Sequence, residues 1–265
     1  MSQNPSPDDE LAGTEQPFVQ HLMELRDRLV KSIVAVGVVA AVLFFFPGPG
    51  ALYDLMAAPL VAHLPKGATL IATSVISPFM VPLKILLMSA FMIALPVVLW
   101  QVWGFIAPGL YQHEKRLVLP LVISSTVLFL VGVAFCYFFV FGKVFAFIQG
   151  FAPKSITAAP DIEAYLSFVL TMFIAFGLAF EVPIVVIVLA RLGIVSVAQL
   201  KRYRGYFIVV AFIVAAVVTP PDVVSQLALA IPMVLLYEMG IWAAQVFIRH
   251  TKAPEDAEES ASASS

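Results

Sequence analysis

The sequence predicts an all-α polytopic membrane protein. It has six transmembrane helices, the N-terminus and C-terminus both cytoplasmic, an N-terminal amphipathic surface helix and structured outer loops. Three observations lead there. Of 265 residues, 61% are hydrophobic and only 12% charged, with a mean hydropathy of +0.98; soluble domains hold roughly 45–50% apolar and about 25% charged residues. The apolar residues gather into runs of near-spanning length. Lysine and arginine accumulate on alternate connections, the bias expected of cytoplasmic loops. This composition excludes a soluble enzyme and a disordered chain. A net charge of −2 leaves no global basic field to recruit nucleic acid. Cys136 is the single cysteine, so no intrachain disulfide can form.

Residues 1–16 are acidic and lack the basic and apolar regions of a secretory signal, and they read as a disordered acidic N-tail. The membrane domain covers 17–249. It opens with an amphipathic helix over 17–30, on which Phe18, Leu22, Leu25 and Leu29 recur at helical spacing and Pro17 suits the first turn. A hydrocarbon core of about 30 Å asks for about 20 apolar residues per helix. The first span is 29–46, with Lys31 near enough to its end to snorkel. The second, 85–106, contains Gln101 and is bent by Pro96; the third is 117–141. The fourth, 165–190, carries Glu181. The fifth, 206–218, reaches only about 20 Å at ~1.5 Å per residue. The sixth, 223–248, holds Gln226, Pro232 and Glu238.

The fifth run fits either a short span or a re-entrant hairpin tipped by Thr219-Pro220-Pro221-Asp222. Charge favours the span. With six spans only Lys66, Lys84, Lys143 and Lys154 lie outside, whereas a hairpin would move Arg249 and Lys252 outside as well. A short fifth helix then thins the bilayer locally. The outer connection 47–84 opens with the turn signal Pro47-Gly48-Pro49-Gly50 and continues as a short surface helix broken at Pro59. In the other, 142–164, Asp161-x-Glu163 marks a helix start. Residues 250–265 read as a disordered acidic C-tail. No internal repeat is evident, which counts against a transporter built from inverted halves.

Phosphate-loop, H-E-x-x-H and Cys/His metal spacings are absent, and Ser124, Ser125 and Ser167 have no histidine or second base in a span to serve them. No catalytic residue, metal or cofactor is expected. Ionisable residues at membrane depth are the first suspects, because burying them is costly. Glu181 is the clearest. It is either a protonated carboxyl bonded to a neighbouring helix or to a carbonyl freed by Pro183, or part of a polar cavity for substrate passage. The second possibility would also suit a proton-coupled solute transporter. Glu238 reads as structural, with Gln226 or Arg249 as partners. Thr219 and Gln226 read as caps of the sixth helix beside Asp222. By spacing, Glu24 and Arg28 form a helix pair, and Glu114 is a solvated loop charge beside Lys115 and Arg116. Two facing carboxylates would hold a pair of guanidinium groups through bidentate bonds, but periodicity does not show that these two face one another.

The wording of the motifs adds a family. His21-Leu22-Met23-Glu24-Leu25-Arg26-Asp27-Arg28 resembles the opening signature of the TatC family, the multispanning receptor subunit of the twin-arginine (Sec-independent) protein translocase. Gln101-Val102-Trp103-Gly104-Phe105-Ile106-Ala107-Pro108-Gly109-Leu110, continuing to His113-Glu114-Lys115-Arg116, resembles its first cytoplasmic loop. Phe180-Glu181-Val182-Pro183 resembles its fourth helix, and Thr219-Pro220-Pro221-Asp222 with Gln226 its last outer turn.

The resemblance implies recognition of twin-arginine signal peptides on folded cargo, and assembly with single-span TatA-type and TatB-type subunits and further copies of the chain. It implies transport driven by the proton motive force in a bacterial plasma (inner) membrane, with membrane lipid as solvent. By the same resemblance Glu24 and Glu114 fall at the family's arginine-binding carboxylates, and Phe105, Arg26 and Arg28 at neighbours in signal recognition. Glu181 falls at its intramembrane glutamate, and Pro59, Thr219, Asp222 and Gln226 at positions tied to integrity or partner docking. An electrostatic clamp would demand arginine, whose planar fork binds a carboxylate bidentately. This chain departs from the family pattern in one place. No Asp or Glu occurs between Asp54 and Glu114, so a family acid in the segment before the second span, including a partner for Lys84, does not carry over.

Overall fold

The computed structural model describes residues 7–61, 71–106, 115–151, 161–219 and 222–248. The described residues are helical throughout apart from turns and one isolated β-bridge, Ile71 to Asp161. The elements are α1 (Pro7–Phe45), α2 (Pro49–Val61), α3 (Ser77–Ile106), α4 (Lys115–Phe135), a π-helical turn (Cys136–Val140), α5 (Phe141–Phe151), α6 (Ile162–Arg191), α7 (Val197–Arg202), α8 (Arg204–Val218) and α9 (Val223–Ile248). Five stretches are long and apolar enough to cross a membrane: Gln20–Phe45, Ser77–Ile106, Val118–Phe147, Ile162–Arg191 and Val223–Val246. The apolar α8 has 15 residues, about 22 Å at ~1.5 Å per residue.

The first helix differs from the sequence expectation. A separate surface helix over 17–30 and, from residue 7 on, the expected disordered N-tail are replaced by one helix of 39 residues beginning at Pro7; residues 1–6 lie outside the described residues. The sequence Pro7-Asp8-Asp9-Glu10 is itself a helix start, with proline in the first turn and carboxylates at the positive end of the dipole. Nor does α2 break at Pro59; it runs on to Val61. Proline removes the donor to the carbonyl four residues back. That carbonyl, Leu55 O, accepts instead from Tyr137 Oη at 3.0 Å. The third apolar run likewise passes through the π turn and continues beyond 141 to Phe151. Aromatic packing on α6 explains the extension, since Phe141 lies 5.4 Å from Phe173 and 5.8 Å from Phe168, and Phe145 lies 5.7 Å from Tyr165.

At the centre is α6, packed against α4, α9 and α3 and burying Phe173, Phe176, Met172 and Val169. Gly132 on α4 lets the two backbones meet: a Cβ there would stand 2.5 Å from Phe176 O and 2.9 Å from Phe180 Cγ. In contrast, α1 leans mainly on α3 and leaves Ile33, Val34, Val38 and Val42 exposed, as a lipid-facing helix does.

The start of α6 ties the bundle together at one end. Asp161 caps it, Oδ2 accepting from Ala164 N at 3.0 Å while Oδ1 accepts from Thr73 N at 3.2 Å and Thr73 Oγ1 at 2.8 Å. Two residues on, Glu163 accepts from Ser77 Oγ at 2.6 Å and Lys84 Nζ at 3.0 Å. Lys84 therefore finds its acid on α6, far along the chain, where the sequence shows none nearby. The Ala164 backbone N–H, then the Thr73 hydroxyl, hold the Asp161 carboxyl below its ordinary range. A depressed carboxylate stabilises the fold above its unfolded pKa, and that contribution is lost as pH falls through the folded value. Asp161→Ala is therefore expected to lower Tm at neutral pH, with the difference from wild type closing on acidification. A calorimetric pH series checks this.

Candidate functional site

His21, Glu24 and Arg28 follow one another at spacings of three and four, so they share one face of α1. That face meets the last turn of α3. Arg28 donates to Glu24 Oε1 from Nε at 2.8 Å and from Nη2 at 2.7 Å. Its guanidinium lies on Gly104, where a Cβ would overlap Nη1. The Arg28 side chain is 23% exposed and that of Glu24 42%. One turn earlier the imidazole of His21 stacks on Phe105, ring centroids 4.3 Å apart and planes 14° from parallel.

The packing face of α1 is thus its polar one, whereas Leu22, Leu25 and Leu29 point outward and are exposed. Glu24, Arg28 and Phe105 come together as a site. Arg26 does not join them: it pairs with Asp27 Oδ1 at 2.8 Å on an exposed side of the helix. Glu114 lies outside the described residues. Two members, His21 and Gly104, escaped the sequence reading. The signal was available, because His21 stands seven residues before Arg28 and Gly104 directly precedes Phe105.

Deeper in the bundle, Glu181 is only 7% exposed. Neither carboxylate oxygen has a hydrogen-bond partner among the described residues. The carbonyl freed by Pro183 is not used, and the polar group that faces the carboxyl is Ser125 of the neighbouring helix α4. Trp103 Nε1 donates to Ser125 Oγ at 2.9 Å, and Trp103 immediately precedes Gly104. Trp103 thus lies between Ser125, which faces the buried carboxyl, and Gly104 of the surface site.

At the turn between α8 and α9, Asp222 caps α9 by accepting from Ser225 N at 2.7 Å. Thr219 and Gln226 do not cap that helix. Thr219 Oγ1 donates to Ala215 O at 2.8 Å and Gln226 Nε2 approaches Phe212 O at 3.5 Å, so both address carbonyls of α8. Pro220 and Pro221 lie outside the described residues. Glu238 pairs with Arg204 at 2.7 Å in place of the expected Gln226; Arg249 lies outside the described residues. Beside it Tyr237 stacks on Phe207 at 3.9 Å and donates to Leu200 O at 2.9 Å, which locks α7, α8 and α9 together. Pro59 is on α2.

Among the described residues no group of three or more His, Cys, Asp and Glu is placed to hold a metal. What the α1–α3 junction offers is a half-exposed carboxylate beside an aromatic face. Both groups suit a guanidinium, the first through charge-assisted hydrogen bonds and the second through cation–π stacking.

Comparison with known proteins points the same way. A family model described as Sec-independent protein translocase protein (TatC) matches residues 20–232. The Sec-independent protein translocase protein TatC of Azotobacter chroococcum mcd 1 is 52% identical over 240 residues, 91% of this chain and 93% of the relative. That of Escherichia coli strain K12 is 47% identical over 233 residues, 88% and 90% of the two chains. A crystal structure of "Twin Arginine Translocase Receptor- TatC" superimposes with a TM-score of 0.74 at 40% identity, covering 85% of this chain and 98% of that one. A second, of the same receptor in DDM, gives a TM-score of 0.75 at 40% identity, covering 84% and 99%.

Proposed function

This chain belongs to the TatC family of Sec-independent protein translocase proteins, and from that premise we propose that it is the receptor that binds twin-arginine signal peptides of folded proteins. It is a multi-pass membrane protein of the translocation machinery. The observation that carries the receptor reading is the α1–α3 junction, where Glu24 stands with His21 and Arg28 against Gly104 and Phe105. An arginine pair presents two planar forks, and a lysine pair offers no bidentate geometry to the same carboxylates.

In this reading α8 is the fifth of six spans and both termini are cytoplasmic, with the membrane domain over 17–249 in a bacterial inner membrane. The distribution of Lys and Arg supports that orientation. Glu114 supplies a second carboxylate from the cytoplasmic loop, and Arg28 borders the site, whereas Arg26 stands on an exposed side of α1. Single-span TatA-type and TatB-type subunits and further copies of the chain complete the complex. Pro59, Thr219, Asp222 and Gln226 serve its outer face. Energy comes from the proton motive force, and the short α8 thins the bilayer where cargo passes.

Vesicles holding the chain with its partner subunits test this function. Import of a folded cargo is expected to require both the Arg-Arg signal and an ion gradient. Import that persists after the gradient is dissipated, or without the signal, would overturn it. Glu181 acts after recognition, since its unpartnered carboxyl lies within the bundle rather than at the surface site. Glu181→Gln is accordingly expected to leave signal-peptide affinity unchanged while reducing crosslinks from the peptide to the bundle interior. Equal loss of both would contradict that division.

A further inference from the structure

At the α1–α3 junction the carboxylate and the aromatic face are both already covered by this chain's own side chains. The carboxylate of Glu24 holds the fork of Arg28, which rests on the side-chain-free surface of Gly104. The face of Phe105 is covered by the flat imidazole of His21. Gly104 and Phe105 are consecutive on α3, so the two resident heads lie on adjacent backbone positions. We propose that Arg28 and His21 are resident stand-ins for the ligand's two guanidinium groups, so that an arginine pair binds by exchange. One incoming guanidinium takes the place of Arg28 on Glu24, and the other takes the place of His21 on Phe105. This inference rests on the receptor reading and adds how the site is kept closed.

The energetics make exchange feasible. A half-exposed i,i+4 ion pair is weak, so releasing Arg28 opposes binding only slightly. Until that moment the pair keeps a bare carboxylate from capturing unrelated cations, and His21 keeps Phe105 from presenting an open apolar face. Because release of Arg28 is a cost common to every ligand, it lowers affinity for Arg-Arg and Lys-Lys peptides by the same factor. Preference between them stays with the carboxylate geometry.

The test is titration of the full chain, reconstituted in vesicles, with a fluorescent Arg-Arg peptide. Arg28→Gln is expected to tighten binding roughly two- to fivefold, the range of a weak ion pair, and to tighten a Lys-Lys peptide by the same factor. Arg28→Met provides a second variant should the first fold poorly. Arg26→Gln removes an equal charge two residues away and is expected to give no such gain, which separates exchange from general electrostatics. Unchanged or weaker binding in both Arg28 variants, or an equal gain in Arg26→Gln, would overturn the proposal. Independently, saturating peptide is expected to abolish the ring-current shift that Phe105 imposes on the His21 imidazole protons; a shift that persists in the bound state would also overturn it. Failure of the receptor reading is a different result, in which Glu24→Gln binds the peptide as well as wild type does.

Discussion

Glu24→Gln is expected to weaken binding of an Arg-Arg peptide by roughly ten- to a hundredfold, corresponding to the loss of a charge-assisted hydrogen-bond pair of about 1.5–3 kcal/mol. The amide keeps the volume and removes the charge, so the effect reports electrostatics rather than packing. Folding is expected to survive, because Glu24 is 42% exposed and its only bonded partner among the described residues is Arg28 on the same helix. Salt should matter: a half-exposed ion pair is screened over a Debye length of about 10 Å at 0.1 M, so the penalty is expected to be larger at low ionic strength. Titrations of wild type and variant at two salt concentrations read this directly. Identical isotherms would remove Glu24 from the site.

The second large effect concerns the bundle rather than the peptide. Gly132→Leu places a side chain where α4 and α6 touch, its Cβ 2.5 Å from Phe176 O and 3.0 Å from the Phe176 carbonyl carbon. Backbone cannot swing aside as a side chain can, so α6 itself must move. Overpacking of this kind costs about 1–3 kcal/mol, occasionally more. Here the displaced helix also carries Phe173, Phe176 and Phe180, which meet Phe135, Tyr137 and Phe141 of the adjoining helices. A clear fall in Tm in detergent and a loss of transport are expected. Gly37→Leu is the control, since nothing lies within 4 Å of a Cβ built there. If the two variants melt alike, the close approach of α4 and α6 does not support the fold.

How much of this could be read beforehand depends on which interactions are local. Composition and apolar runs sufficed for the helical class, because a membrane interior demands continuous hydrogen-bonded helices whatever the tertiary contacts. The start of α1 is legible in Pro7-Asp8-Asp9-Glu10, since proline suits a first turn and acidic residues suit a helix N-terminus. The apolar stripe of α1 was legible, but the packing of its opposite face on α3 was not. In water that stripe would be buried; in lipid it faces out, and the polar face with His21, Glu24 and Arg28 meets α3. Partners contributed from remote segments left no trace in spacing: Glu163 for Lys84, Arg204 for Glu238 and Tyr137 for the carbonyl freed by Pro59. The isolation of Glu181 was equally hidden, since local sequence offered it a proline-freed carbonyl that it does not use. Glu24, Arg28 and Phe105 were legible chiefly through the motif, and Gly104 and His21 became visible only when α1 and α3 were seen to touch.

Photo-crosslinking from position 24 to a signal peptide, compared between Arg-Arg and Lys-Lys versions, tests the receptor function most directly. Strong labelling of the Arg-Arg peptide, lost with Lys-Lys, is the expected result. Equal labelling of the two, or none of either, would contradict recognition of the arginine pair at the junction of α1 and α3.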